Sequence, residues 1–366
     1  MKKFFLAVAI AIVIFTGVYL GYMKYMNSYK GDGDYCLINE KGEVVTNLRI
    51  YDTAYTGDGD FGGALVILEN RWPREDDRYK KACALLDPNG KIVLGPIDKL
   101  IRYNGQGLFS DIRHLYDDTG TKVGKLEQLG IIGTFGNNGL APIDNFHGDS
   151  GFGYIDTTGN YVIESRFKAG GDFADNGLAA VQNEEELWGY IDEKGNYVIE
   201  PQFIDAGMFS DGLAPVEISD GNWAYIRGNG EIAFEVNCKN AGEFLNGCAV
   251  ISENNQIDYL INIDGKRIGN EEYYYISNSS NLGIIRAQKD GRYCFIGVDG
   301  NPIFEKTFNN AWDFSRNGLC AVRGDNGLWG YIGTDGEWVI EPIYEYAYPF
   351  DSKGGVAVVK PVKQQN

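Results

Sequence analysis

From about residue 150 onward, apolar and polar positions alternate in short runs separated by glycine turns. Tyr190-Ile191-Asp192 and Tyr197-Val198-Ile199 are β-branched and aromatic runs flanking Glu193-Lys194-Gly195, which predicts a hairpin whose type I turn closes on a left-handed glycine. Glycine suits that position because positive φ costs it little. Pro201 has no amide to donate and ends the second strand. The chain then passes Phe203, Ala206 and Phe209, turns at Ser210-Asp211-Gly212 and enters another strand at Leu213-Ala214-Pro215-Val216.

The same unit recurs. Its turn glycine falls at Gly42, Gly90, Gly120, Gly159, Gly195, Gly230, Gly265, Gly300 and Gly336, with spacings of 36, 35, 35, 35 and 36 residues from Gly159 onward and 48, 30 and 39 before it. Counted from that glycine, position +8 is Phe167, Phe203, Cys238, Tyr273, Phe308 and Tyr344, and position +14 is Phe173, Phe209, Phe244, Ser279, Phe314 and Phe350. Between them, position +11 is Gly170, Ala206, Ala241, Ile276, Ala311 and Ala347, mostly small. Large residues around a small one predict core anchors about a close contact. A fixed period decides the architecture before any local reading does, because each unit is too small to bury its faces except against its neighbours.

Phe152-Gly153-Tyr154-Ile155, Trp188-Gly189-Tyr190-Ile191 and Trp329-Gly330-Tyr331-Ile332 are each followed by a glycine turn and then by Tyr-Val-Ile-Glu or Trp-Val-Ile-Glu-Pro, with Gly-Leu-Ala-x-Val later in the unit. In these segments the chain resembles the bacterial WG-repeat family. The likeness covers roughly residues 150–360 well and 35–150 loosely; Trp223-Ala224-Tyr225-Ile226 departs mildly and Asp258-Tyr259-Leu260-Ile261 further. The resemblance implies architecture, with no catalytic residues and no agreed ligand. The expected fold is all-β: about nine tandem β-meanders in a solenoid or superhelical array. An open array is preferred over a closed β-propeller-like ring, because a 35-residue period is short for four-stranded blades of about 40 residues and nine blades exceed the usual four to eight.

One segment breaks the β pattern. Phe4 to Tyr22 carries no charge and follows Lys2 and Lys3; its 19 residues (22 − 4 + 1) are enough for a membrane span of roughly 20. A cleavable signal peptide would have a shorter apolar core and then a small-x-small site, whereas bulky Tyr19, Leu20, Tyr22 and Met23 end this one. The expected organisation is a cytoplasmic N-terminus at 1–3, a transmembrane signal anchor at 4–22 and a polar tether at 23–34. Degenerate repeats then occupy 35–149 with a charged insertion at 69–81, well-formed repeats 150–360, and a tail 361–366. Lysines before the span favour a single-pass cell-membrane protein with an extracytoplasmic repeat domain.

The formal charge of −18 argues against nucleic acid, whose binding depends on clustered Lys and Arg; an acidic surface also simply confers solubility. Thr56-Gly57-Asp58-Gly59-Asp60 lacks the spaced carboxylates and terminal Glu of a calcium loop, so it reads as a turn. Only His114 and His147 are present, and His114 stands at a repeat position, so no zinc cluster or histidine triad is evident. Asp156 and Asp192 read as turn residues. No catalytic site, metal or cofactor is expected. The six cysteines occupy core registers and read as small buried hydrophobes, with a Cys238–Cys248 bridge as the competing possibility.

Candidate ligand-binding residues are aromatic. Trp72 lies in the charged insertion, which maps to a loop on one face of the array; packing over the array edge is its alternative role. Tyr274, Tyr346 and Tyr348 fall outside the +8 register and could face solvent, where flat rings suit glycans or peptides, although tyrosine is also common in strands for its β-propensity. The first functional expectation is non-catalytic recognition of a protein, peptide or cell-wall glycan in the envelope. A structural spacer or envelope scaffold is second, and an unrecognised hydrolase a remote third.

Overall fold

The computed structural model describes residues 35–46, 50–55, 63–69, 81–97, 101–111, 113–126, 130–145, 151–254, 257–351 and 355–362. The expected anchor at 4–22, the tether, the turn at 56–60 and Trp72 with most of the 69–81 insertion lie outside them. No helix among the described residues is long and apolar enough to cross a membrane.

Strands in sequence order pair with their neighbours, so the sheets are antiparallel meanders. In one, Ala169–Gly170, Ala179–Gln182, Trp188–Ile191 and Tyr197–Phe203 lie side by side, the last running through Pro201 to pair Phe203 with Trp188, so the expected stop at Pro201 is corrected. The hairpin turn is as the sequence predicts: Gly195 has φ +82° and donates to Asp192 O. The Asp192 carboxylate accepts the Lys194 amide at 2.9 Å and the Asn196 amide at 2.8 Å. Asp156 holds Thr158 and Asn160 in the same way.

The array is closed, and the open superhelix is corrected. Cys36–Asn39, at the start of the described chain, pairs with Val356–Pro361 near its end, with Cys36 opposite Val359 and Asn39 opposite Val356. The result, among the described residues, is a β-propeller of eight sheets. Two features reconcile it with so short a period. The first strand of a unit is only two residues long, as in Asp205–Ala206, Asn240–Ala241 and Asn310–Ala311, so four strands fit into about 35 residues. The last sheet is also double. Its ten-residue strand Trp338–Ala347 pairs through Ile340 with Tyr331 and through Ala347 with Val359, ending one unit and beginning the next without a break. That six-stranded sheet therefore holds two turn glycines, Gly336 and Gly42.

The anchors are buried where the register places them. Phe167, Phe203, Phe308 and Tyr344 at +8, and Phe173, Phe209, Phe244, Phe314 and Phe350 at +14, lie in the core. Core clusters straddle the seams between units: Phe203 and Phe209 pack with Ala214, Val216, Ala224 and Ile226 of the following sheet. The tyrosine of the Trp-Gly-Tyr segment completes each seam. The hydroxyls of Tyr154, Tyr190, Tyr225 and Tyr331 donate to the carbonyls of Gly171, Gly207, Gly242 and Tyr348. Their rings lie 4.8–4.9 Å from the +14 phenylalanines.

The glycine of that segment has its own cause. Pairing between Trp188–Ile191 and Tyr197–Phe203 slips between Trp188 and Tyr190, and the fourth strand presses against Gly189. A methyl group there would sit 2.5 Å from Ile199 O and 2.7 Å from Pro201 N. Where the chain has Ala224 instead, the ladder runs unbroken through Trp223–Val236, Ala224–Glu235 and Tyr225–Phe234, so the extra carbon has room. Gly189→Ala is expected to destabilise by about 1–3 kcal/mol, the usual range for overpacking, read from chemical denaturation. A neutral result would show that the bulge does not require glycine.

Candidate functional site

Of the aromatic residues singled out from sequence, Tyr346 and Tyr348 are brought together, their rings 4.9 Å apart at 64°, and Trp72 lies outside the described residues. Tyr274 is 61% exposed, just before the strand Tyr275–Asn281. Tyr348 is buried at 9% exposure, stacked on Trp312 at 6.3 Å. Tyr346 is half-buried, its ring 5.1 Å from Trp329. Both help to seal the double sheet against its neighbours, and this closing role is what the tandem reading of the last unit missed.

A groove that the sequence reading passed over lies between the sheet ending at Phe167 and the one containing Tyr197. Arg166, Phe167, Gly195, Asn196, Tyr197 and Glu200 line about 390 Å³. Its floor follows from the repeat: Phe167 is a +8 anchor, and Tyr197, at +2 of the next unit, meets it edge-on at 6.1 Å and 79°. Because Gly195 turns left-handed, its carbonyl accepts from Arg166 Nη2, and the guanidinium lies 5.0 Å from the Phe167 ring centre. Burial pushes the Tyr197 hydroxyl above its ordinary pKa, with Arg166 opposing and Glu200 reinforcing the rise. The sequence signal was the aromatic at +2, present as Tyr161, Tyr197 and Trp338.

One equivalent seam carries a phenylalanine and a tryptophan in the same registers, with different charges. Phe308 meets Trp338 at 6.0 Å and 82°, and Lys306 donates to Gly336 O. There the cation is neutralised by Glu337 at 2.7 Å. Asn196 holds the place of Glu337 in the Arg166 groove.

The WG containing repeat family matches residues 152–186, 188–223, 295–328 and 329–360. Four of its units are WG repeats. No curated protein sequence matches the chain. Among solved structures, one described as a eukaryotic initiation factor is 11% identical, covering 76% of this chain and 84% of that one with a TM-score of 0.55. BamB from Moraxella catarrhalis is 13% identical over 89% and 88% of the two chains at a TM-score of 0.42. The computationally designed Ika8 protein is 10% identical over 79% and 97% at 0.46. At these identities the first likeness concerns fold alone, and the other two superpose too loosely to bear on it.

Elsewhere in the chain, reactive side chains are bound into the structure. All six cysteines are free, Cys238 and Cys248 included, and burial raises both of those thiols to about 11. His114 lies 3.4 Å from Asp111, whose carboxylate accepts the Arg113 and His114 amides and the Tyr116 hydroxyl. Among the described residues no group of three or more His, Cys, Asp or Glu side chains is placed to hold a metal.

Near the short first strands, side chains bridge successive units: Asp172 accepts the Thr134 amide at 2.8 Å and Glu243 the Met208 amide at 2.7 Å. Desolvation raises both carboxyls above their ordinary values; the amide bonds oppose this, and Asp172's charge adds to the rise of Glu243. A raised carboxyl costs stability at neutral pH, a cost that shrinks as pH falls through the folded-state value and is gone below the unfolded-state value. Asp172→Asn is therefore expected to melt higher than wild type at pH 7, with the gap closing toward pH 4. A lower melting temperature at pH 7 would show that the charge is favourable where it stands.

Proposed function

We propose that this WG-repeat propeller is a non-catalytic recognition module, held on the outer face of the cell membrane by residues 4–22, whose partner is an envelope protein, peptide or cell-wall glycan. The observation that carries the reading is the Arg166 groove, a preformed concavity with polar groups over aromatic rings, which is how ligand sites are commonly built. The turn carboxylates support it as well: Asp156 and Asp192 are engaged with backbone amides and serve the fold. A spacer or envelope scaffold is the second reading. It is favoured by exposed pairs of mixed charge such as Lys168–Glu186 and Arg292–Asp325, which give a soluble surface without a chemical preference.

The test uses the full-length chain in its native membrane. A photo-crosslinking residue at Gln202, exposed and two residues along the strand from the groove's Glu200, should join a defined envelope component, and one at the exposed turn residue Asp211 should not. External protease on intact cells should digest the repeat domain. Equal background labelling from both positions would favour the spacer, and protection from external protease would overturn the membrane orientation.

A further inference from the structure

We infer that the Arg166 groove takes a neutral, hydroxyl-rich ligand, namely a segment of an uncharged glycan chain. This rests on the recognition reading and names its ligand class.

The groove holds two opposite charges that do not satisfy each other. Arg166 is exposed; one nitrogen donates to Gly195 O, the guanidinium lies over Phe167, and among the described residues no carboxylate pairs with it. Glu200 is also exposed and lines the same space, and among the described residues its carboxylate has no hydrogen-bond or ion-pair partner. Asn196 uses its side-chain nitrogen on Asp192 at 3.1 Å, which leaves its amide oxygen as an acceptor. The groove therefore offers a donor in Arg166 and acceptors in Glu200 and the Asn196 amide oxygen, with the half-buried ring of Tyr197 in its lining.

An anion drawn by Arg166 would meet Glu200 and a chain of charge −18. A cation drawn by Glu200 would meet Arg166. Hydroxyl groups donate and accept at once, so neighbouring sugar hydroxyls can take hydrogen from Arg166 and give it to Glu200 or Asn196 without bringing net charge. The C–H face of a sugar ring suits the half-buried ring of Tyr197. The groove is also open rather than enclosed, which fits one stretch of a longer chain better than a free small molecule. The Phe308–Trp338 seam makes a natural comparison, because Lys306 and Glu337 already neutralise each other there.

The experiment titrates the full-length protein with neutral oligosaccharides (β-linked glucose, N-acetylglucosamine, mannose and xylose hexamers), with a uronic-acid hexamer and a zwitterionic dipeptide as contrasting probes. At least one neutral hexamer should bind with little dependence on salt. Arg166→Ala and Glu200→Ala should each weaken it tenfold or more, and Lys306→Ala should leave it unchanged. Both groove variants alter exposed side chains, and wild-type melting temperatures would exclude unfolding. Absence of binding to every neutral hexamer, preference for the charged probes, or affinity unchanged in both groove variants would overturn the inference. If a protein partner is still captured through the Gln202 position in those circumstances, recognition stands and only its ligand class falls.

Discussion

Removing residues 1–46 is expected to open the ring, whereas removing residues 1–34 should leave it shut. The difference between the two truncations is the strand Cys36–Asn39 and the Gly42 hairpin. Leu37 and Ile38 are both 0% exposed and face opposite seams. Leu37 packs with Val66, Ala84 and Val358, and Ile38 with Ala347, Phe350 and Val359. Losing two fully buried aliphatic side chains removes about 3–6 kcal/mol of burial. Val356–Pro361 would then be an unpaired apolar edge, a template for another chain. The expected result is a melting temperature lower by about 10 °C or more and concentration-dependent dimers or larger species in light scattering. A monomer of residues 47–366 that melts like the full chain would mean that the first strand does not close the ring.

Closure is also where reading the sequence stopped short. The turn glycines, the anchors at +8 and +14 and the hairpin aspartates are local, and each is legible because the unit repeats it. The pairing of Cys36 with Val359 is not local: nothing in either strand names the other, and both read equally well as ends of an open array. The double sheet was hidden for a related reason. Glu345-Tyr346-Ala347 follows Pro342, which suggests a broken ladder, yet the strand runs through Pro342 and Ala347 starts the next unit. Tyr348 was misjudged with it. It sits at +12, where the backbone carbonyl receives the Tyr331 hydroxyl at 2.8 Å, so its ring is carried into the seam. The Arg166 groove needed residues from two units at once, +8 of one with +2 of the next, and a position-by-position comparison of units does not juxtapose them.

Phe209→Ala should be strongly destabilising, and the manner of its unfolding distinguishes a ring from a row. Phe209 is 4% exposed, its ring lies 4.8 Å from that of Tyr190, and its cluster spans two sheets through Leu178, Ile199, Val216 and Ile226. Truncation leaves a cavity in a seam that rigid strands cannot collapse, a loss of about 3–5 kcal/mol. Tyr190→Phe keeps the ring contact but leaves the Gly207 carbonyl without its 2.8 Å donor, about 1–3 kcal/mol. In an open array each unit leans on its neighbours alone, so a weakened seam would let one end unfold ahead of the other. In a closed propeller no unit is terminal, and opening one seam strains every other. Denaturation of Phe209→Ala followed by both tryptophan fluorescence and far-ultraviolet circular dichroism should therefore give one coincident transition at lower denaturant. Two separated transitions would show that the sheets on either side of Phe209 fold independently, and the ring would then be no more cooperative than a row.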